Sequence, residues 1–212
     1  MNLELNLRCF WKFIKQSEER VENDLRNFVF VHIQKTAGKS IKAALGLKGG
    51  AYHRPASVMH DELGEATWQS SFKFAFVRNP WDRLVSAYFY RRQGGNGSLN
   101  DRKRSKLYPS SFDQFCERID EFKSLPDELM FITQADWVSD GNSKIIVDFV
   151  GKVENIQSDF DLVCDELKRP RIALPYLNRS HHRSYRDVYS DRTKKIVCSA
   201  YQDDIDIFKY TF

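Results

Sequence analysis

No two of the four cysteines, Cys9, Cys116, Cys164 and Cys198, form a C-x-x-C pair. That spacing offers neither a zinc site nor a thioredoxin-type dithiol, and reduced, mostly buried thiols are the expectation. Long apolar runs are also missing. At the amino terminus Glu4 and Arg8 interrupt the apolar residues and Lys12 restores charge, so no signal-peptide core or membrane span is read there. A cytoplasmic chain without stable membrane insertion is expected. Nor is there an excess of one charge: 33 basic residues face 29 acidic ones, a formal net charge of +4. That balance argues against bulk nucleic-acid binding and suits local basic pockets for an anionic ligand or acceptor.

What is present describes a globular protein. Hydrophobic residues make up 42% and aromatics 14% of the chain, and the 16 phenylalanines predict a core of large rings. With 212 residues the chain is long enough for one well-filled α/β domain and short for two.

Residues 28–45, Phe-Val-Phe-Val-His-Ile-Gln-Lys-Thr-Ala-Gly-Lys-Ser-Ile-Lys-Ala-Ala-Leu, organise the sequence. A short β-branched and aromatic run reads as a buried strand, and it enters a small-residue turn followed by a helix former. Such a junction binds phosphate or sulfate, because the first N–H groups of the helix lack intrahelical partners and the helix dipole is positive there. Gly38 would let backbone approach an anion, Lys35 and Lys39 add charge, and Thr36 and Ser40 add hydroxyls. Gly38-Lys39-Ser40 invites a nucleotide-triphosphatase reading, but the first glycine of G-x-x-x-x-G-K-[ST] would fall at Ile33.

Residues 74–88 repeat the pattern, with a strand closed by Arg78 and a helix that has Pro80 in its first turn. Ser86 follows Asp82 on one helix face. A guanidinium fork with a hydroxyl makes a second oxyanion site.

Together the two stretches resemble the PAPS-dependent sulfotransferases, most closely the carbohydrate-acting branch. The family's first loop, typically K-T-A-G-T-S, is similar to Lys35-Thr36-Ala37-Gly38-Lys39-Ser40, and in the family it grips the 5′-phosphosulfate of the donor. The second motif, R-x-P-x-x-R-x-x-S-x-Y, is matched by Arg78, Pro80, Arg83, Ser86 and Tyr88, and its Arg and Ser bind the 3′-phosphate. Gln34 replaces the family's usual proline and Lys39 its usual threonine. The similarity continues through Gly151-Lys152-Val153-Glu154-Asn155 and Leu177-Asn178-Arg179-Ser180 to the carboxyl end. It implies that Arg179 and Ser180 meet the 3′-phosphate or adenine side. It further implies sulfuryl transfer from PAPS to a hydroxyl, with PAP as product. The fold it leads us to expect is a three-layer α/β sandwich around a mainly parallel sheet, of P-loop-containing nucleotide-hydrolase-like topology. Golgi members carry an amino-terminal anchor, which is not seen here.

An attacking hydroxyl must lose a proton, and histidine titrates nearest to working pH. The family's base, a histidine or an acidic residue, often lies between the two donor motifs, which points to His53, on irregular backbone before Pro55, with His60 as runner-up. His32, inside the first strand, reads as a buried, hydrogen-bonded structural residue. The role of Glu154 stays open. Adjacent His181 and His182 have no evident third ligand, so no metal is expected.

Elsewhere, residues 3–25 read as an amphipathic helix. The first loop's helix should end near Leu47, with Gly49 and Gly50 available as left-handed caps. Residues 91–111, rich in glycine and cations, read as a long mobile loop that could meet an anionic sugar chain. Residues 144–147 and 149–153 read as strands, residues 160–167 as a helix, and Ser111 and Ser190 as helix caps. Two other readings stay open: a P-loop kinase, which needs magnesium and usually an Asp ending its second strand, and a non-catalytic polyanion-binding module.

Overall fold

A computed structural model describes residues 27–48, 53–125, 128–175 and 184–212. The expected helix over 3–25, Arg179, Ser180, His181 and His182 lie outside the described residues.

Among the described residues three short strands form the sheet: β1 (Phe28–Val31), β2 (Phe72–Val77) and β3 (Phe149–Lys152). They run parallel in the order β1-β2-β3, with Phe28 opposite Phe72 and Phe74 opposite Phe149. Parallel neighbours need long crossovers, and helices supply them. Between β1 and β2 lie α1 (Gly38–Ala44), α2 (Ala56–Leu63) and α3 (Glu65–Ser70). Between β2 and β3 lie α4 (Pro80–Arg92), α5 (Leu99–Ser105), α6 (Phe112–Glu117), α7 (Ile119–Lys123) and α8 (Gln134–Val138). After β3 come α9 (Ile156–Glu166), α10 (Asp191–Ala200) and α11 (Gln202–Phe208).

Alternation along the strands sends side chains to opposite faces. Phe28, Phe30, Phe74 and Phe76 pack with Ile41 of α1 and with Phe160 and Val163 of α9. Val29, Val31, Ala75 and Val77 turn the other way, onto Ala56 of α2, Trp68 of α3, Trp137 of α8 and Phe208 of α11. Helices therefore cover both faces of the sheet. A third cluster, away from the sheet, joins α4, α6, α7 and α10 around Phe115, Phe122, Phe131 and Tyr201. There Phe115 stacks on Phe122 with ring centroids 5.0 Å apart.

Several boundaries differ from the sequence expectation for local reasons. Helix α1 stops early because Gly46, at φ +69°, takes the left-handed position. The Gly46 N–H then donates to Ala43 O and the Leu47 N–H to Lys42 O, the paired bonds of a Schellman end. Residues 144–147 form no strand. Ile145 makes one antiparallel bridge to Ser139, and this apolar run packs against the valine-rich face without a ladder partner. The segment 91–111, read as loop, contains α5, whose N-cap Ser98 accepts from the Asp101 N–H. Helix α9 begins at Ile156, one turn before the expected helix. Ser190 caps α10 with a complete capping box, as expected, while Ser111 occupies its cap position without a side-chain bond. Cys116 and Cys164 are buried free thiols and Cys198 is a half-buried one. Among the described residues, no helix is long and apolar enough to cross a membrane.

The ring cluster makes a direct prediction. Phe115 is fully buried, so Phe115→Ala should cost about 3–5 kcal/mol of stability, read as a lower denaturant midpoint at unchanged slope. A loss below about 1 kcal/mol would mean that the cluster repacks freely.

Candidate functional site

All three strands release the chain at one edge of the sheet. β1 leads into the 32–37 loop, β2 into Arg78 and Asn79, and β3 into a 3₁₀ turn that carries Glu154. In the first loop Lys35 and Ala37 both have positive φ, 69° and 60°. Non-glycine residues seldom hold that conformation, and alternating it with ordinary backbone curls successive N–H groups toward one concave side, as in anion nests. The loop is braced from within, since the Thr36 hydroxyl is buried and donates to Ile33 O at 2.9 Å. Ser40 is buried in the first turn of α1, and Lys39 is exposed beside it.

Lys35 is the unusual cation of the loop. Among the described residues no carboxylate pairs with it, and its Nζ lies over the Tyr90 ring, 4.5 Å from the centroid. Burial pushes its pKa down to about 8, and the nearby charges of Arg78, Lys39 and Arg91 push the same way. An ammonium gathered with other cations, and with no paired carboxylate among the described residues, is poised to gain from an incoming anion.

Arg78 reaches this loop directly, its Nη1 donating to Lys35 O at 3.3 Å. The two motifs thus meet in space, although 43 residues separate Arg78 from Lys35. Asp82, in the first turn of α4, accepts from Arg78 Nε at 2.7 Å and fixes the fork. Backbone clamps hold the position. Gln134 accepts the Arg78 N–H at 2.8 Å and donates to Arg78 O at 2.8 Å, with the buried carboxylate of Asp204 behind it. Asn79 caps α4, accepting from the Trp81 N–H. Ser86 is buried on α4, one turn beyond Asp82.

Glu154, open on sequence grounds, has a definite place. Its Oε1 accepts the Asn79 N–H at 2.6 Å and its Oε2 accepts the Tyr210 hydroxyl at 3.0 Å. It therefore ties the end of β3 to the start of α4. Arg83 is buried and donates to three carbonyls: Gln34 O at 3.2 Å, Ile132 O at 3.0 Å and Met130 O at 2.9 Å. It stitches the entry of the first loop to α4 and to the turn before α8. Gln134, Asp204 and Arg83 carry no sequence signal for these roles beyond the motif position of Arg83, because each acts on backbone distant in sequence.

His53 Nδ1 sits 2.9 Å from His32 O. A carbonyl only accepts, so Nδ1 carries the hydrogen and Nε2 keeps its lone pair. Burial pushes the His53 pKa below 6.5; the bond to His32 opposes that fall and the charges of Lys42 and Arg91 deepen it. The ring is therefore neutral at pH 7. His32 is buried, as expected, and burial followed by the His53 charge drives its pKa down to about 3. Contrary to expectation, its Nδ1 has no hydrogen-bond partner among the described residues. Its ring lies 4.4 Å from that of His53 and covers Gly38 so closely that a Cβ there would fall 1.8 Å from Nε2. Room for His32 is thus the steric demand on Gly38. His60 lies elsewhere. On α2 it bonds Glu65 at 2.6 Å and packs edge-on against Trp68, which neighbours Lys73 at the amino end of β2.

In the last turn of α4, Arg91 is buried between Glu128, at 2.8 Å, and Asp101, at 3.1 Å, and Arg104 also reaches Glu128. These pairs dock α5 against the end of α4. Among the described residues no cluster of side chains suits a metal ion.

Comparison with known proteins bears on this arrangement. The family model described as "Sulfotransferase family" matches residues 20–211. An uncharacterized protein of Archaeoglobus fulgidus is 27% identical over 134 residues, covering 63% of this chain and 98% of that protein. No solved structure matches the chain.

The packing of His32 on Gly38 is testable without a ligand. Gly38→Ala should destabilise the protein by about 1–3 kcal/mol, and the loss should be distinctly smaller in a His32→Ala background. Equal losses in both backgrounds, by denaturant titration, would contradict the contact.

Proposed function

The chain belongs to the sulfotransferase family, and from that premise we propose that it transfers the sulfuryl group of PAPS to a hydroxyl, a carbohydrate hydroxyl above all, and releases PAP. We read the parallel sheet with helices on both faces as the core of a single three-layer domain of P-loop nucleotide-hydrolase-like topology. The observation that carries the proposal is the meeting of Arg78 with Lys35 at 3.3 Å, which sets two cationic pockets on one sheet edge. Ligands of open parallel sheets lie at that edge.

The residues fit a donor anionic at both ends. The 32–37 loop, Lys35, Lys39 and Ser40 face its 5′ end, and Thr36, Ala37 and Gly38 shape the backbone that does so. Arg78 and Ser86 hold the 3′-phosphate, and Arg179 and Ser180, outside the described residues, are assigned to the same nucleotide side. PAPS supplies the sulfuryl group as an activated mixed anhydride. His53 Nε2 takes the proton of the acceptor hydroxyl as the new S–O bond forms. Lys35 and the loop N–H groups meet the charge that grows on the bridging phosphate oxygen as the old S–O bond breaks. An in-line displacement of this kind divides labour as phosphoryl transfer does. The kinase alternative is weakened because β2 leads into Arg78 rather than an Asp.

Calorimetry should detect PAP in preference to ATP-magnesium, and labelled PAPS should pass sulfate to a member of a glycan panel. Binding of ATP-magnesium alone would overturn the proposal. Lys35→Ala should lower kcat by about 10²–10³-fold. Arg78→Ala should raise the Kd for PAP by about 10–100-fold. His53→Ala should leave that Kd within about threefold while lowering kcat by about 10²–10⁴-fold; unchanged turnover would remove His53 as base. The pH profile follows in sign. Lys35 must be protonated to meet an anion, so kcat/KM for the donor should fall as pH rises through about 8. His53 must be neutral, so activity should be lost on the acid side only below 6.5.

A further inference from the structure

Tyr90 lies outside the two motifs, in the last turn of α4, yet its ring is what the Lys35 ammonium touches, at 4.5 Å from the centroid. The ring is half-buried and rests partly on the aromatic cluster that joins α4 to α6, α7 and α10. Its backbone is fixed by the Gly95 N–H, which donates to Tyr90 O at 2.9 Å. The next residue, Arg91, is locked by Glu128 and Asp101, and its guanidinium carbon lies 5.9 Å from the same ring. A rigid aromatic face is thus presented to Lys35, and no carboxylate of the described residues pairs with that lysine.

The choice of partner matters physically. An ion pair would fix Lys35 more firmly, but an incoming anion would have to break it and leave a half-buried carboxylate facing the ligand. A ring face attracts the ammonium through its quadrupole, adds no negative charge, and yields to a stronger partner. Resting on the sulfotransferase reading above, we propose that Tyr90 is a positioning residue: its ring holds the Lys35 side chain beside the 32–37 loop and hands it to the donor's bridging oxygen. Lys35 then needs no search through its rotamers when the donor arrives, and its charge arrives unneutralised.

The test uses the full chain, labelled PAPS and whichever glycan the wild type sulfates. Tyr90→Leu should lower kcat/KM for PAPS by about tenfold, whereas Tyr90→Phe, which keeps the ring, should stay within about twofold of wild type. In a Lys35→Ala background the Tyr90→Leu change should shrink below about twofold, because the ring acts through the lysine. Wild-type rates in Tyr90→Leu, a Tyr90→Phe as impaired as Tyr90→Leu, or an undiminished Tyr90→Leu loss without Lys35 would each overturn the assignment while leaving the sulfotransferase reading intact. A wild type that neither binds PAP nor transfers sulfate would overturn that reading first, and this inference with it.

Discussion

Positive charge collected at the carboxyl edge of the described three-strand sheet is the constraint on which the rest of the structure turns. Lys35, Lys39, Arg78 and Arg91 lie near enough for the last three to depress the ionisation of the first. Like charges so placed repel in the free protein, and the fold holds them only because backbone clamps and packing fix their positions. Asp82 and the Glu128–Asp101 pair neutralise Arg78 and Arg91 from the helix side. The loop side is left with the excess.

The clamps explain why buried polar residues concentrate here. Arg83, Gln134, Glu154 and Asp204 each bond backbone of another element, so the first loop, α4, α8, the end of β3 and α11 are mutually located. Arg83 is the extreme case, a buried guanidinium satisfied by three carbonyls, its pKa pushed down by burial and partly back up by Tyr201 and Asp204. Removing such a group would leave three carbonyls without donors, which costs more than the bonds contribute. The same logic makes the histidine pair directional. His32 gives His53 its tautomer through a backbone carbonyl and occupies, with its ring, the space a side chain on residue 38 would need.

Local patterns carried much of this. The aromatic and β-branched runs at 28–31 and 72–77 and the Asn-Pro start of α4 name their elements, because strand alternation and a proline at N1 are short-range effects. Proximity of Lys35 to Arg78 followed from reading both as strand ends, which parallel pairing brings to one edge. Glu154 was not legible, since its partners Asn79 and Tyr210 lie 75 and 56 residues away. Residues 144–147 misled because apolar content alone does not say whether a ladder partner exists beside them. In residues 91–111 the glycines hid α5, a helix set by the Ser98 cap and by the ion pairs of Asp101 and Arg104 rather than by an apolar stripe.

The pairing of Arg78 with Asp82 decides how the second pocket can work. Asp82 engages Nε and Nη2 through a single oxygen, at 2.7 Å each, while Nη1 turns to Lys35 O. The fork is thereby oriented before any ligand arrives, and an arriving phosphate meets a guanidinium whose charge is half-shared. Arginine tolerates this better than lysine would, because its planar donors can serve two acceptors in fixed directions. The first pocket follows the opposite design, with a lysine that has an aromatic face and, among the described residues, no carboxylate paired with it. A fixed, partly neutralised anchor suits the end of a ligand that only binds. A free, unneutralised charge suits the end where negative charge grows as a bond breaks, because stabilisation withheld from the ground state is what lowers a barrier.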